Sequence, residues 1–385
     1  MVWVNLLLIV VLVAGHTELL VMLVNRVYAL PLGCRVLRWV RHLHDVMIPA
    51  FPIVLIWFVG LRGAGLLTGG SWFDVPVGWT VYFTLCAAGA VGLLVSMARR
   101  AVRTVPDVQL SNDSWIVDLE SRLGDRPVGD GPFRFLTRLP GNEVFRVEVS
   151  QKAYRLPRLP QEWDGLSILH LSDFHFIGTI DRAFFEQVVD LSAQLRPDLI
   201  VFTGDLLDRQ RLIEWVPETL GRLNAPWGCY FVLGNHDWFL DPAEIRRHLT
   251  DLGWQDVAGK TITVEYKGHA MVIGGTERPW MGAHPDFSAS PAAAFRLLLS
   301  HTPDHFRWAR RQNVDLMLSG HTHGGQIVLP LIGPVYSPSL HGSRYANGVF
   351  WDEPTMLYVS RGISGRHPIR WNCPPELTKL ILKCA

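Results

Sequence analysis

Three long apolar stretches in the first quarter of the chain constrain its fold more than any other feature. They lie near residues 2–24, 44–61 and 77–98. An α-helix needs about 20 mostly apolar residues to cross a bilayer, and the bilayer core cannot hydrogen-bond to exposed backbone groups. Residues 1–104 contain eight arginines, no lysine and three acidic residues. The sequence therefore predicts an α-helical transmembrane region of about three helices over residues 1–104.

The arginines of this region are unevenly distributed, which predicts its orientation. Seven of the eight follow the first or the third apolar stretch: Arg26, Arg35, Arg38, Arg41, Arg99, Arg100 and Arg103. Loops rich in Lys and Arg remain on the cytoplasmic side of a membrane. We therefore expect a multi-pass protein of the cell inner (plasma) membrane with the chain that follows residue 104 in the cytoplasm. The net charge of +1 argues against a specific nucleic-acid partner, because such partners need a strongly basic surface.

The remainder of the chain has the charge mixture of a soluble domain. Residues 105–164 are rich in Pro and Gly and predict a connector, with one strand-like alternation at 144–154. Over residues 165–385, short apolar runs alternate with loops and helical patterns. The predicted strands are 166–171, 199–202, 230–233, 271–274, 295–299 and 316–318, and the predicted helices are 181–195, 212–223, 242–252 and 303–312. This alternation predicts an α/β domain with ligands at the carboxyl ends of its strands.

Five of the predicted strands are followed by a cluster of Asp, Asn and His residues. In chain order the clusters are Asp173-Phe-His175, Gly204-Asp205-Leu-Leu-Asp208, Gly234-Asn235-His236-Asp237, Ser300-His301 and Gly320-His321-Thr-His323. Residues i and i+2 of an extended chain point to the same side. Asp173 with His175, and His321 with His323, can therefore each aim two side chains at one point. A single histidine in such a place is usually an ordinary surface or core residue. Five clusters that each end a strand predict a shared site.

The side chains of these clusters are donors for metal ions. Seven of them offer a carboxylate, amide or imidazole donor: Asp173, His175, Asp205, Asn235, His301, His321 and His323. If one carboxylate bridges, seven donors make eight contacts, four for each of two metal ions. Because the set contains no thiolate, it suits divalent Mn, Fe or Zn rather than a structural zinc cage, and we expect Mn.

The five clusters resemble the signature of the calcineurin-like metallophosphoesterases, which reads D-x-H, G-D-x-x-D, G-N-H-D/E, H and G-H-x-H. The resemblance covers residues 166–385 and implies a two-sheet sandwich with flanking helices. It implies one metal held by Asp173, His175, Asp205 and His323. It implies a second metal held by Asp205, Asn235, His301 and His321. It also implies that His236 is catalytic and oriented by Asp237, and that Asp208 supports the ligands without contacting a metal.

The resemblance also implies a function, the hydrolysis of a phosphodiester or pyrophosphate with two divalent metals. The forms ILHLSDFH, GDLLD, GNHD and GHTHGGQ are similar to a membrane-associated branch that includes UDP-2,3-diacylglucosamine hydrolases of lipid A synthesis. We therefore expect a lipid membrane as partner and a lipid-linked phosphoester as substrate. One alternative is a tethered phosphodiesterase or nuclease that acts on a soluble substrate. Another is a catalytically silent membrane scaffold, which the intact donor set disfavours.

Two smaller features have alternative interpretations. His16 and Glu18 lie inside the first apolar stretch, where ionisable groups are costly, and they either have a function or form a contact between helices. Arg361, Arg366 and Arg370 form a basic stretch that either holds a second phosphate or belongs to a solvated loop.

Overall fold

The structure, a computed structural model, describes residues 2–385. Its chain forms two compact units. The first contains the residues up to Thr104 together with Leu329–Gly342, and the second contains Val105–Val328 and Ser343–Ala385. The chain therefore leaves the second unit once, between residues 328 and 343, and then returns to it.

The first unit is built from three long helices: α1 (Val2–Tyr28), α2 (Cys34–Leu55, continued as a π-helix over Ile56–Arg62) and α3 (Val77–Ala101). All three are long and apolar enough to cross a membrane, as predicted. Helix α2 begins about ten residues before the predicted span. Leu37 and Val40 alternate there with arginines, so these first turns are helical but too polar to be recognised as part of an apolar stretch.

Helices α1 and α3 approach each other closely enough that their backbones touch. A Cβ atom added to Gly15 would lie only 1.7 Å from the carbonyl oxygen of Cys86. Small residues allow this kind of packing between apolar helices. The adjacent His16 is fully buried, with Nδ1 2.6 Å from the Tyr82 hydroxyl and Nε2 3.1 Å from the carbonyl oxygen of Met47. His16 therefore connects all three helices. Of the two interpretations of this residue, a function or a contact between helices, the structure supports the contact.

The segment 329–342 completes the first unit by packing on α1. The buried Asn25 side chain donates to the carbonyl of Val335 at 3.1 Å and accepts from the backbone N–H of Ser337 at 2.9 Å. The Arg41 guanidinium lies over the ring of Tyr336, 5.3 Å from its centroid. These contacts fix the segment at the ends of the helices where the arginines are concentrated.

The described chain contains fifteen strands: thirteen form the two large sheets of the second unit, and the other two form a short ribbon that begins at residue 328 and extends into the segment 329–342 of the first unit. The first six are β1 (Gln109–Asp118), β2 (Arg146–Arg155), β3 (Ser167–Leu171), β4 (Leu199–Thr203), β5 (Cys229–Val232) and β6 (Gln255–Asp256). The next six are β7 (Thr261–Tyr266), β8 (His269–Thr276), β9 (Phe295–Ser300), β10 (Leu316–Ser319), β11 (Val328–Leu329) and β12 (Gly333–Pro334). The last three are β13 (Gly348–Asp352), β14 (Thr355–Val359) and β15 (Glu376–Lys383).

Two mixed sheets form a sandwich. The first has the strand order β1-β2-β15-β3-β4-β5-β6 and the second β13-β14-β10-β9-β8-β7, while β11 and β12 form the separate ribbon. Strands β3, β4 and β5 are parallel to one another, and so are β8, β9, β10 and β14. Because parallel neighbours end at the same edge, the loops after these strands gather at one edge of each sheet.

Apolar side chains from both sheets fill the layer between them, among them Val201, Val232, Leu299 and Leu318. Five further helices accompany the sheets: α4 (Leu119–Leu123), α5 (Arg182–Gln194), α6 (Asn235–Trp238), α7 (Pro242–Asp251) and α8 (Phe306–Arg311). Residues of α5 and α7 belong to the core on the outer face of the first sheet, and residues of α8 to the core on the second. The predicted two-sheet sandwich with flanking helices is confirmed.

Two predicted segments differ from the structure. Within the predicted connector 105–164, β2 confirms the strand predicted over 144–154, whereas β1 was not predicted; β1 pairs with β2, and β2 with β15, so both belong to the first sheet. The predicted helix 212–223 is replaced by short 3₁₀ turns at Gln210–Trp215 and Leu220–Arg222. Pro217 lies between the two turns and cannot donate the backbone hydrogen bond that a continuous α-helix requires.

Candidate functional site

All five polar clusters lie at the carboxyl ends of parallel strands, as predicted. Asp173 follows β3, Asp205 follows β4 and Asn235 follows β5 in the first sheet, and His301 follows β9 and His321 follows β10 in the second. The site is therefore assembled from both sheets. The sandwich brings together residues that are up to 150 positions apart in the chain.

One group of four side chains could hold a metal ion: Asp173, His175, Asp205 and His323. One donor atom from each lies within 4.8 Å of the others. The Nε2 atom of His175 is 3.5 Å from a carboxylate oxygen of Asp205 and 3.2 Å from Nε2 of His323. His323 Nε2 is in turn 3.7 Å from Asp173 Oδ1.

A second group consists of Asp205, His301 and His321, again with one donor atom from each within 4.8 Å of the others. His301 Nε2 lies 3.3 Å from Asp205 Oδ2, 3.1 Å from His321 Nδ1 and 3.0 Å from Oδ1 of Asn235. Asp205 thus belongs to both groups. The structure brings together all seven residues that the sequence analysis assigned as donors.

The hydrogen bonds behind the histidines decide which ring nitrogen faces the centre. The Nδ1 atoms of His175, His301 and His323 lie 2.8, 2.7 and 3.2 Å from a carboxylate oxygen of Asp208 and the carbonyl oxygens of Thr203 and Ser364. A neutral imidazole that donates from Nδ1 keeps a lone pair on Nε2. Three such lone pairs then converge with the carboxylates of the site. A cluster made only of acceptors fits divalent cations.

The backbone at these ligands is unusual. Asp173, His175, Asp205, His321 and His323 all have left-handed φ values between 49° and 70°. Non-glycine residues in this region cost about 1–3 kcal/mol each and persist where the surrounding structure fixes them. The loops after β4 and β5 also approach each other closely, since a Cβ atom on Gly234 would lie 2.1 Å from Oδ1 of Asp205.

His236 lies beside the first group, and Asp208 rather than Asp237 orients it. Its Nδ1 is 2.6 Å from Asp208 Oδ1, and its ring meets that of His175 edge-on at 4.6 Å. The predicted contact with Asp237 is absent from the described hydrogen bonds. The Asp237 carboxylate instead accepts from four backbone N–H groups, those of Asp205, Leu206, Leu207 and Gly234. Asp237 therefore shapes the loop that carries Asp205, because its buried carboxylate is fully used by that backbone.

The charges around His236 determine its protonation. Burial disfavours the imidazolium, but Asp208 and Asp205 outweigh burial and raise the pKa of His236 to about 9, while the positive charge of Arg366 opposes them. The same contacts act on the partner, since the two histidines beside Asp208 outweigh its burial and hold its pKa well below the usual range. A raised pKa on a base means that His236 is protonated at neutral pH and loses its proton as the pH rises through about 9.

The three arginines of the basic stretch, Arg361, Arg366 and Arg370, lie in different environments. The stretch is therefore neither a single phosphate site nor a single solvated loop. Arg361 pairs with Glu148 at 2.8 Å and with Glu376 at 3.5 Å. Arg370 is fully buried, whereas Arg366 is exposed. Sequence reasoning missed the roles of Ser364 and Arg370 beside His323. The one feature of the sequence that could have indicated these roles is that both residues follow β14, a strand parallel to the neighbouring β10 in the second sheet.

Comparisons with known proteins agree with a two-metal hydrolase site. The family model "Calcineurin-like phosphoesterase" matches residues 166–325. The uncharacterized metallophosphoesterase YkuE of Bacillus subtilis is 31% identical over 252 residues, which are 63% of this chain and 87% of that protein. Phosphodiesterase YaeI of Escherichia coli is 30% identical over 220 residues, 56% of this chain and 81% of that protein.

A third relative has a lipid substrate in its name. The UDP-2,3-diacylglucosamine pyrophosphatase LpxG of Chlamydia muridarum is 27% identical over 298 residues, 62% of this chain and 89% of that protein. These similarities define a metal-dependent hydrolase of phosphoric esters. The chain belongs to the calcineurin-like phosphoesterase family, as the motifs predicted, and this family typically binds two divalent metals.

We predict that Asp208→Asn lowers the pKa of His236, because the substitution removes the carboxylate charge that stabilises the imidazolium. The alkaline limb of the kcat/KM profile should move to lower pH, and kcat should fall roughly 10–100-fold because Asp208 also orients His175. The measurement is a pH profile with a chromogenic aryl phosphodiester. Asp256→Asn, which removes a carboxylate paired with Arg246 at 3.0 Å, is the control. An unshifted alkaline limb in Asp208→Asn would contradict the prediction.

Proposed function

We propose that this protein is a membrane-anchored phosphoesterase with a dinuclear metal site that hydrolyses a phosphodiester or pyrophosphate in a lipid-linked substrate such as UDP-2,3-diacylglucosamine. The observation that carries the catalytic part is the pair of donor groups that share Asp205 next to His236. The lipid part is supported by three helices of membrane-spanning length in the same chain and by similarity to LpxG.

The residues have distinct roles in this proposal. Asp173, His175, Asp205 and His323 hold one cation, and Asp205, Asn235, His301 and His321 hold the other. When bound, the two cations activate water and neutralise charge on the phosphoryl oxygens. Manganese is the metal we propose, because the donors are oxygen and imidazole nitrogen without thiolate.

His236 is the proposed acid of the reaction. Its Nδ1 is held by Asp208 at 2.6 Å, which leaves Nε2 to contact the substrate. An imidazolium there stabilises the charge that accumulates on the phosphoryl group in the transition state, and it can deliver a proton to the departing oxygen. Asp208 keeps the ring in this orientation. Asp237 keeps the loop of Asp205 in place through its four backbone contacts.

The chain connection supports a substrate at the membrane surface. Only residues 324–328 separate His323 from the segment 329–342, which packs on the ends of the transmembrane helices through Asn25. The chain therefore passes directly from the loop of a proposed metal ligand into the unit that carries the apolar helices. We take this short covalent connection as support for a substrate that is itself associated with the membrane.

We expect Asp205→Asn to abolish hydrolysis, because the substitution removes the carboxylate that both donor groups share. Activity of the full-length protein in detergent with Mn²⁺ should fall by more than roughly 100-fold, the upper end of the loss that is typical when a residue that only supports a metal ligand is replaced. Bound metal, measured by mass spectrometry, should fall as well. Asp251→Asn, on the exposed end of α7, is the matched control. If the two variants retain equal activity and equal metal, the dinuclear site does not catalyse the reaction.

A lipid-linked substrate predicts surface-dilution kinetics. In mixed micelles, turnover of UDP-2,3-diacylglucosamine should depend on its mole fraction in the micelle at constant bulk concentration. A UDP-sugar without acyl chains should be cleaved at least about tenfold less efficiently, since acyl burial contributes about 0.8 kcal/mol per CH₂. The aryl phosphodiester serves as the control for an active metal site. Equal kcat/KM for the acylated and unacylated nucleotides would favour the tethered phosphodiesterase with a soluble substrate.

The arginine distribution leads us to propose that the catalytic unit faces the cytoplasm of a multi-pass inner-membrane protein. A reporter fused after Ala385 should then give a cytoplasmic signal, and a reporter placed after Ser71, between α2 and α3, should give a signal from the opposite side. The opposite pattern would reverse the proposed orientation. A shared side for the two reporters would mean that α3 does not cross the membrane.

A further inference from the structure

Arg370 is a buried cation whose purpose the reaction does not explain. Its side chain has no exposed surface, and among residues 2–385 no carboxylate lies within ion-pair distance of it. Burying a guanidinium without a carboxylate is unfavourable unless its N–H groups are well satisfied. Solvent and substrate cannot reach the group, so it is not a phosphate-binding residue.

The guanidinium donates instead to backbone carbonyls from two different loops. Nη1 donates to the carbonyl of His323 at 3.0 Å and to that of Arg361 at 2.8 Å. Nη2 donates to the carbonyl of Ser364 and, at 3.5 Å, to that of Gly362. The first loop follows β10 and carries His323, and the second follows β14. Arg370 therefore joins the two loops through a planar fork that no other side chain could reproduce.

His323 is held at both ends by these contacts. Its backbone carbonyl accepts from Arg370 directly. Its ring Nδ1 donates to the carbonyl of Ser364, the same oxygen that accepts from Arg370 Nη2. The Ser364 carbonyl thus fixes the tautomer that leaves the Nε2 lone pair free, and Arg370 fixes the Ser364 carbonyl.

The loop of His323 needs such a restraint. His323, Gly324, Gly325 and Gln326 have φ values of 52°, 64°, 86° and 55°, so four successive residues are left-handed. Two of them are not glycine, and their conformation persists only where surrounding contacts determine it. The carbonyl of His323, which also accepts from the thiol of Cys373 at 3.4 Å, is one point at which the loop is held.

We propose that Arg370 is the positioning residue for His323: it holds the backbone and the ring of this ligand in the geometry that binds one of the two metal ions. The inference rests on the proposed function in one respect, namely that His323 is a metal ligand. It adds a residue outside the recognised motifs, forty-seven positions after His323 in the chain. Among the described residues Arg370 makes no hydrogen bond to His301 or His321, so we expect the ion in their group to be unaffected.

The test measures metal binding by the full-length protein in detergent. We expect Arg370→Met, which keeps the length of the side chain but removes its donors, to raise the dissociation constant of one Mn²⁺ roughly 10–100-fold and to leave the other unchanged. Metal content after gel filtration should fall from about two ions per chain to about one. Excess Mn²⁺ should restore kcat, since the ligands themselves are intact. Wild-type affinity for both ions in this variant would overturn the proposal.

Two further variants separate positioning from general stability. Arg370→Lys keeps the charge but not the fork, and it should weaken the same ion less than Arg370→Met does. If Arg370→Met does not fold, Arg370→Lys decides, and unchanged affinity in it refutes the proposal. Arg296→Met removes a guanidinium on β9 that donates to the carbonyl of Gln312, just after α8, at 2.7 Å. It should lower Tm without loss of metal, and metal loss equal to that of Arg370→Met would reduce Arg370 to a structural role. A wild-type protein that binds no metal would instead refute the dinuclear site itself.

Discussion

The convergence of lone pairs at the carboxyl ends of five strands is the constraint on which the rest of this structure depends. Two carboxylates, an amide oxygen and four imidazoles point into one small buried volume. Such a cluster repels itself in a low-dielectric interior unless cations are present. The features around it serve to hold the donors against that repulsion: left-handed backbone at five of the seven donors, a glycine where loops approach, and a hydrogen bond behind each of three rings.

Residues that never reach the centre provide much of this restraint. Asp208 holds both His175 and His236, Asp237 gathers four backbone N–H groups under Asp205, and Arg370 joins the two loops around His323. The two carboxylates accept from imidazole or backbone N–H groups, and the two Nη atoms of Arg370 donate to backbone carbonyls, whereas its buried Nε has no described hydrogen-bond partner. Asp208 and Asp237 act by accepting from the N–H groups of rings and loops, and Arg370 acts by donating to the carbonyls of two loops.

The membrane unit obeys a different physical rule. Its helices are apolar on the outside, so the polar groups within it must be paired internally. His16 meets this requirement by bridging three helices, and Asn25 meets it by capturing the backbone of the returning segment 329–342. That segment begins six residues after His323 in the chain. The catalytic loop and the segment that packs on α1 are therefore joined by only a few residues of the chain.

Local patterns in the chain predicted the three apolar helices and an α/β domain, and the resemblance to the metallophosphoesterases implied the two-sheet sandwich. These predictions are confirmed because they depend on apolar runs and on motifs within short segments. The same patterns placed the seven proposed donors directly after strands, and the structure brings these residues together. Tertiary structure decided the partner of His236, the missing helix at 212–223, the strand β1 and the roles of Ser364 and Arg370. Asp237 directly follows His236 in the chain, whereas Asp208 belongs to the preceding polar cluster. Only the path of the loop after β4 determines which of the two carboxylates reaches the ring. Arg370 resembled a surface cation in the sequence because burial depends on which loops fold over a residue, and that is a property of distant contacts rather than of neighbouring residues.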